Sequence, residues 1–207
     1  TMQLTKNLQE KEQLQAQLKD FVKPGSIDVN IMTKLDRDNY SKDGELLPQQ
    51  FSDACAALRG FALSDLDAGI VLSAGFNRRL YAYIEDFPDF FPDETGYLKK
   101  RVILKVSDFR SSQTQGKFLA KKGIWVAEHR IESGLNCGGH AFASDGYLLG
   151  PILDEFKQKR SELISSLYVL CNQVLKDKEK QLFHAIPELL ITVQGGIGTA
   201  NENEFLL

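Results

Sequence analysis

Cysteine is scarce in this sequence. Cys55, Cys137 and Cys171 are widely spaced over 207 residues. A disulfide framework calls for closely set pairs in a short chain, so this usage points to a reducing compartment. A basic excess is also missing, since 25 Lys plus Arg face 28 Asp plus Glu for a formal net charge of -3. Nucleic-acid binders ordinarily carry a basic stripe or surplus, which puts that class outside the expectation. No apolar run approaches the roughly 20 residues of a membrane helix, and no charged-then-apolar leader opens the sequence. Internal repeats and low-complexity tracts are lacking too. What is present is 43% hydrophobic and 26% charged residues, the composition of a soluble domain able to build a real core. The expectation is one cytoplasmic domain, or a fragment of one, over residues 1–207.

Short apolar runs alternate with helical patterns along the sequence. An amphipathic helix is expected over 3–22, with Leu4, Leu8, Leu14, Leu18 and Phe21 toward one side and Pro24-Gly25 as its stop. A β-branched strand follows at 27–33. A second helix carries Phe51, Cys55, Leu58 and Ala62 at helical spacing. Strands are expected at 68–75, 101–108, 123–132 and 189–196. Helices are expected at 110–122 and about 160–183, the latter with Leu163, Leu167, Leu170, Val174 and Leu182 on its apolar face. This alternation predicts a parallel sheet with crossover helices, either a barrel or an open doubly wound sheet. The aromatic, proline-bearing stretch 86–97 reads as a rigid loop, either a lid or a packed surface loop.

In parallel α/β folds, chemistry collects at the carboxyl ends of the strands. Asn30, Ser73, Lys105, Glu132 and Gly195-Gly196 all fall at or near such an end. Two glycine-rich turns stand out. In the first, 132–142, Gly138-Gly139 lets backbone approach a flat ligand, and His140 follows directly. His140 is either a proton acceptor near neutral pH or an imidazole bonded to a backbone carbonyl. Cys137 paired with His140 is a nucleophile candidate, and a Cys137/His140 metal site has no further ligand cluster beside it. In the second, 194–199, Gly195, Gly196, Gly198 and Thr199 precede an acidic helix start. Backbone N–H groups there can cradle a phosphate, although tight turns without ligand look the same. On the strand before the first turn, alternation sets Glu128, Arg130 and Glu132 on one face and Trp125, Ala127, His129 and Ile131 on the other. Three charges in a row on a buried strand require partners, so either this face points into a polar barrel interior, with Arg130 paired to carboxylates such as Asp28 or Glu128, or it is an exposed strand face. His129 and His184 read as structural.

In order, Val29-Asn-Ile-Met32, Ile70–Gly75, Val102–Arg110, Glu132 with Cys137-Gly-Gly-His140, and Ile191–Gly198 resemble the nitronate monooxygenase family of FMN-dependent TIM barrels. The matches correspond to strands three to seven of that family's eight. Two opening strands and the closing strand have no counterpart, and the interval from Glu132 to His140 is one residue longer. The resemblance implies a parallel (β/α) barrel, incomplete here, belonging to a flavoprotein oxidoreductase. It implies that His140 is the base removing a proton from a small carbon acid, with oxygen as the electron acceptor. Asn30, Lys105, Glu132, Gly138 and Gly139 would lie along the flavin, and Gly195, Gly196, Gly198 and Thr199 along its phosphate. The expected partners are a small-molecule substrate and either a second copy or the remainder of the same chain, not nucleic acid or membrane. A non-catalytic phosphate-binding or scaffold barrel stays open, as does another FMN barrel of the enoyl-reductase or glutamate synthase kind.

Overall fold

The five apolar runs pair into one parallel sheet in a computed structural model that describes residues 7–21, 27–31, 36–73, 75–132, 149–194, 199–201 and 204. The strands are β1 (Val29–Ile31), β2 (Ala68–Leu72), β3 (Lys100–Val106), β4 (Val126–Glu132) and β5 (Leu190–Gln194). They lie in the order β1-β2-β3-β4-β5, every neighbouring pair parallel, so strand order never reverses among them. The helices are α1 (Leu8–Phe21), α2 (Asp53–Ala62), α3 (Arg78–Tyr83), α4 (Phe109–Ala120) and α5 (Leu149–Asp177).

One sheet face is the core. Ile31, Ile70, Leu72, Val102, Leu104, Val106 and Ile131 bury there against Leu58, Leu119, Phe156, Leu163 and Leu167 of the helices. Each strand is short, all but β4 are mostly β-branched or leucine, and alternate residues reach this face. Local signals set the helix starts. Asp108 accepts from the Ser111 N–H at 2.6 Å to begin α4, and Asn77 accepts from the Leu80 N–H at 3.1 Å to begin α3. Helix α2 lacks a cap from its own Ser52, and Asp36 supplies one from 18 residues away by accepting the Ala54 N–H at 3.2 Å. At the other end of α2 the buried Lys100 ammonium donates to Ser64 Oγ and to the Leu66 carbonyl and sits 4.5 Å from the Phe61 ring centroid. A cation there favours the carbonyl end of the helix.

Several expectations change. Helix α5 begins at Leu149, eleven residues earlier than expected, and ends at Asp177, which leaves Leu182 outside it. Proline is tolerated in a helix's first turn, so Gly150-Pro151 opens this helix instead of breaking it. Its buried stripe is Ile152, Phe156, Leu163, Leu167, Cys171 and Leu175, with Leu170 half-buried beside it. Phe51 belongs to a 3-10 turn ahead of α2 and is exposed. No residue of α1 is buried, so its apolar side covers nothing among the described residues. The stretch 86–97 is the packed alternative. Phe87, Phe90 and Phe91 are buried, a 3-10 turn at Pro88–Phe90 organises it, and it leads into the amino end of β3, away from the carboxyl ends. On β4 a bulge inserts Ala127, since Val126 pairs with Val102 while Glu128 pairs with Ile103. The predicted alternation therefore holds from Glu128 onward, and Val126 joins the core face in place of Ala127.

Candidate functional site

The second sheet face carries the charges. Alternation assigns it Asp28, Asn30, Asp67, Gly69, Val71, Ser73, Arg101, Ile103, Lys105, Glu128, Arg130, Glu132, Thr192 and Gln194. From the amino to the carboxyl end of the strands the ionic groups fall into three tiers. At the bottom Arg101 lies 2.7 Å from Asp67. In the middle Arg130 donates to both oxygens of Glu128 at 2.8 and 3.0 Å and lies 4.0 Å from Asp28, the pairing expected from sequence. At the top the Lys105 ammonium meets the Glu132 carboxylate at 2.8 Å.

Each tier is built by neighbouring strands. Lys105 and Arg130 are register partners, so two cations start side by side. They part in opposite directions, Arg130 back toward Glu128 and Lys105 forward toward Glu132. The Thr192 hydroxyl of β5 donates to Glu128 as well. Burial works to raise the Glu128 pKa, but the hydrogen bonds from Arg130 and Thr192 outweigh it and hold the carboxyl below its ordinary value. Asp28 is placed by a glycine, since it accepts the Gly69 N–H at 3.0 Å and a Cβ at Gly69 would stand 2.6 Å from its Oδ1. Thr192 and the Asp28–Gly69 contact were not read from sequence. The signal for Thr192 was its place on the same face of the neighbouring strand.

The carboxyl end gathers the described candidates. Asn30 is exposed on β1, Ser73 follows β2, and Gln194 closes β5. The side chain of Lys105 is 14% exposed and that of Glu132 only 5%, so the top pair is largely withdrawn from solvent. Thr199 is exposed just before a helical turn that begins at Ala200. Cys137, Gly138, Gly139, His140, Gly195, Gly196 and Gly198 lie outside the described residues.

Other polar groups stand apart from this end. His129 is on the core face, fully buried, with its Nδ1 2.5 Å from Ser112 Oγ of α4 and its Nε2 without a hydrogen-bond partner. Burial pushes its pKa down to about 4. It is structural, as expected, while His184 is exposed beyond α5. Burial pushes the Cys171 thiol up to about 12 and raises that of Cys55, so neither is an activated nucleophile. No helix among the described residues is long and apolar enough to cross a membrane, and no group of three or more His, Cys, Asp or Glu side chains among them is set to hold a metal. Compared with known proteins, the chain matches no family model, no curated protein and no solved structure.

Proposed function

We propose that this chain forms part of a TIM-type barrel whose strand ends hold FMN, in an oxidoreductase resembling the nitronate monooxygenases. The observation that carries the reading is the charged face itself. An all-parallel sheet in unbroken order, with its helices' core on one face, suits an arc of such a barrel, whose interior the ion-paired face would line. Arg130 supports this further. It reaches from β4 to Asp28, beside β1, although β2 and β3 lie between those strands.

The donor set fits the cofactor. A flavin needs a cation or hydrogen-bond donor near its pyrimidine ring and backbone N–H groups near its phosphate. Lys105 and Asn30 offer the first, and the glycine turns at 138–139 and 195–198 with Thr199 have the composition for the second. When bound, FMN supplies an acceptor for an electron pair and a route to oxygen. His140 is then the base that takes a proton from the carbon acid, Lys105 counters negative charge, and Arg130 with its carboxylates holds the floor beneath them.

The test is the visible spectrum of the protein purified from its complete reading frame. Flavin bands, with FMN released on heat denaturation, are the expected result. A colourless protein that takes up no added FMN contradicts the proposal.

A further inference from the structure

The top ion pair has a second consequence, which rests on the FMN reading. Lys105 is not simply a cation beside a ligand space, because Glu132 holds it at 2.8 Å on the adjacent strand, and both side chains are largely shielded from water. The pairing is selective. The register partner of Lys105 is Arg130, and Arg130 is already engaged with Glu128 and Asp28. Glu132 stands two residues beyond Arg130, so it draws the Lys105 ammonium toward the carboxyl end of the sheet and partly cancels its charge there.

We infer that Glu132 is a positioning residue that tempers the reduction potential of the bound flavin by offsetting the charge of Lys105. A reduced flavin carries more negative charge than the oxidised form, so a nearby cation favours reduction and a carboxylate clamped to that cation moderates the effect. Removing the carboxylate charge while keeping its size should leave Lys105 uncompensated and make the flavin easier to reduce. Removing the ammonium should do the reverse. The two charges act additively on the flavin and nearly cancel as a pair, so removing both should bring the ratio back near the wild-type value.

The experiment equilibrates FMN-loaded protein with a redox dye and reads the ratio of reduced to oxidised flavin at a fixed dye potential. The variants are Glu132→Gln, Lys105→Gln and the double variant, with Glu132→Asp as the conservative rescue. The expected outcome is a ratio about tenfold higher in Glu132→Gln, about tenfold lower in Lys105→Gln, and near the wild-type ratio in the double variant. Glu132→Asp should stay near the wild-type ratio. The double variant replaces the ion pair with two hydrogen-bonding amides, and its comparison with Lys105→Gln alone still decides the question if Glu132→Gln does not fold. FMN bound with an unchanged ratio in Glu132→Gln, or a double variant no different from Lys105→Gln, overturns this inference alone. A wild-type protein that binds no FMN overturns both the inference and the reading beneath it.

Discussion

The Arg130 guanidinium on β4 lies 4.0 Å from the Asp28 carboxylate beside β1, with two other strands between them. Glu128 takes the same guanidinium at 2.8 Å, so two carboxylates share one arginine on a half-buried face. Replacing Arg130 with methionine keeps the length and removes the charge. The stranded carboxylates should then cost about 2 kcal/mol in urea-unfolding free energy, less than for a fully buried pair because part of the network is solvated. A loss below about 0.5 kcal/mol would show that water screens the network.

Gly69 tests the same floor from another side. A methyl there would stand 2.6 Å from Asp28 Oδ1 and 2.7 Å from Ile103 Cδ1. Gly69→Ala should destabilise by about 2 kcal/mol, since crowding a packed face forces its neighbours off their positions. Adding Asp28→Ala removes one of the two colliding groups, so the double variant should lose less than the sum of the single changes. Strict additivity in thermal unfolding would contradict the contact.

His129 makes stability depend on acidity. Its folded pKa is near 4, while an unfolded histidine titrates near 6.5. Between those values the unfolded chain binds a proton that the folded chain refuses, so stability is complete above about 6.5 and falls as the pH drops toward 4. The loss approaches about 3 kcal/mol. The lowered pKa of Glu128 acts in the same direction but only below the ordinary carboxylate range. His129→Asn should flatten the stability profile between pH 6.5 and 5, and an unchanged slope in urea titrations would rule out this histidine as its source.

Thiol reactivity separates the cysteines. Cys55 and Cys171 are buried with raised pKa values, so neither should react with a disulfide reagent at pH 8 until the protein unfolds. At most one of the three thiols, Cys137, should react in the native protein. A second fast-reacting thiol would mean that one of the helix-borne cysteines becomes exposed in solution.

Strand positions were legible because four of the five strands are short, mainly apolar runs and β4 alternates charged with less polar residues. The ionic face was legible as well, since alternation along Glu128, Arg130 and Glu132 forced the search for partners that ended at Asp28. The Ala127 bulge was not, because it arises from the register between β3 and β4 and leaves no mark in the sequence of either strand alone. Helix α3 was hidden by its length, since six residues make fewer than two turns of periodicity. Lys105 and Glu132 were each singled out, but not as partners. Their meeting depends on Lys105 leaning two residues beyond its register mate, and that choice is made by Arg130 being engaged elsewhere.

Backbone amide resonances report directly on the flavin-phosphate site proposed at the carboxyl ends of the parallel strands. Titrating FMN into isotope-labelled protein should shift the amides of Asn30, Ser73, Lys105 and Glu132 while leaving those of Asp67, Lys100 and Arg101 at the amino end unmoved. Shifts confined to the amino end, or no shifts at saturating FMN, would contradict the account.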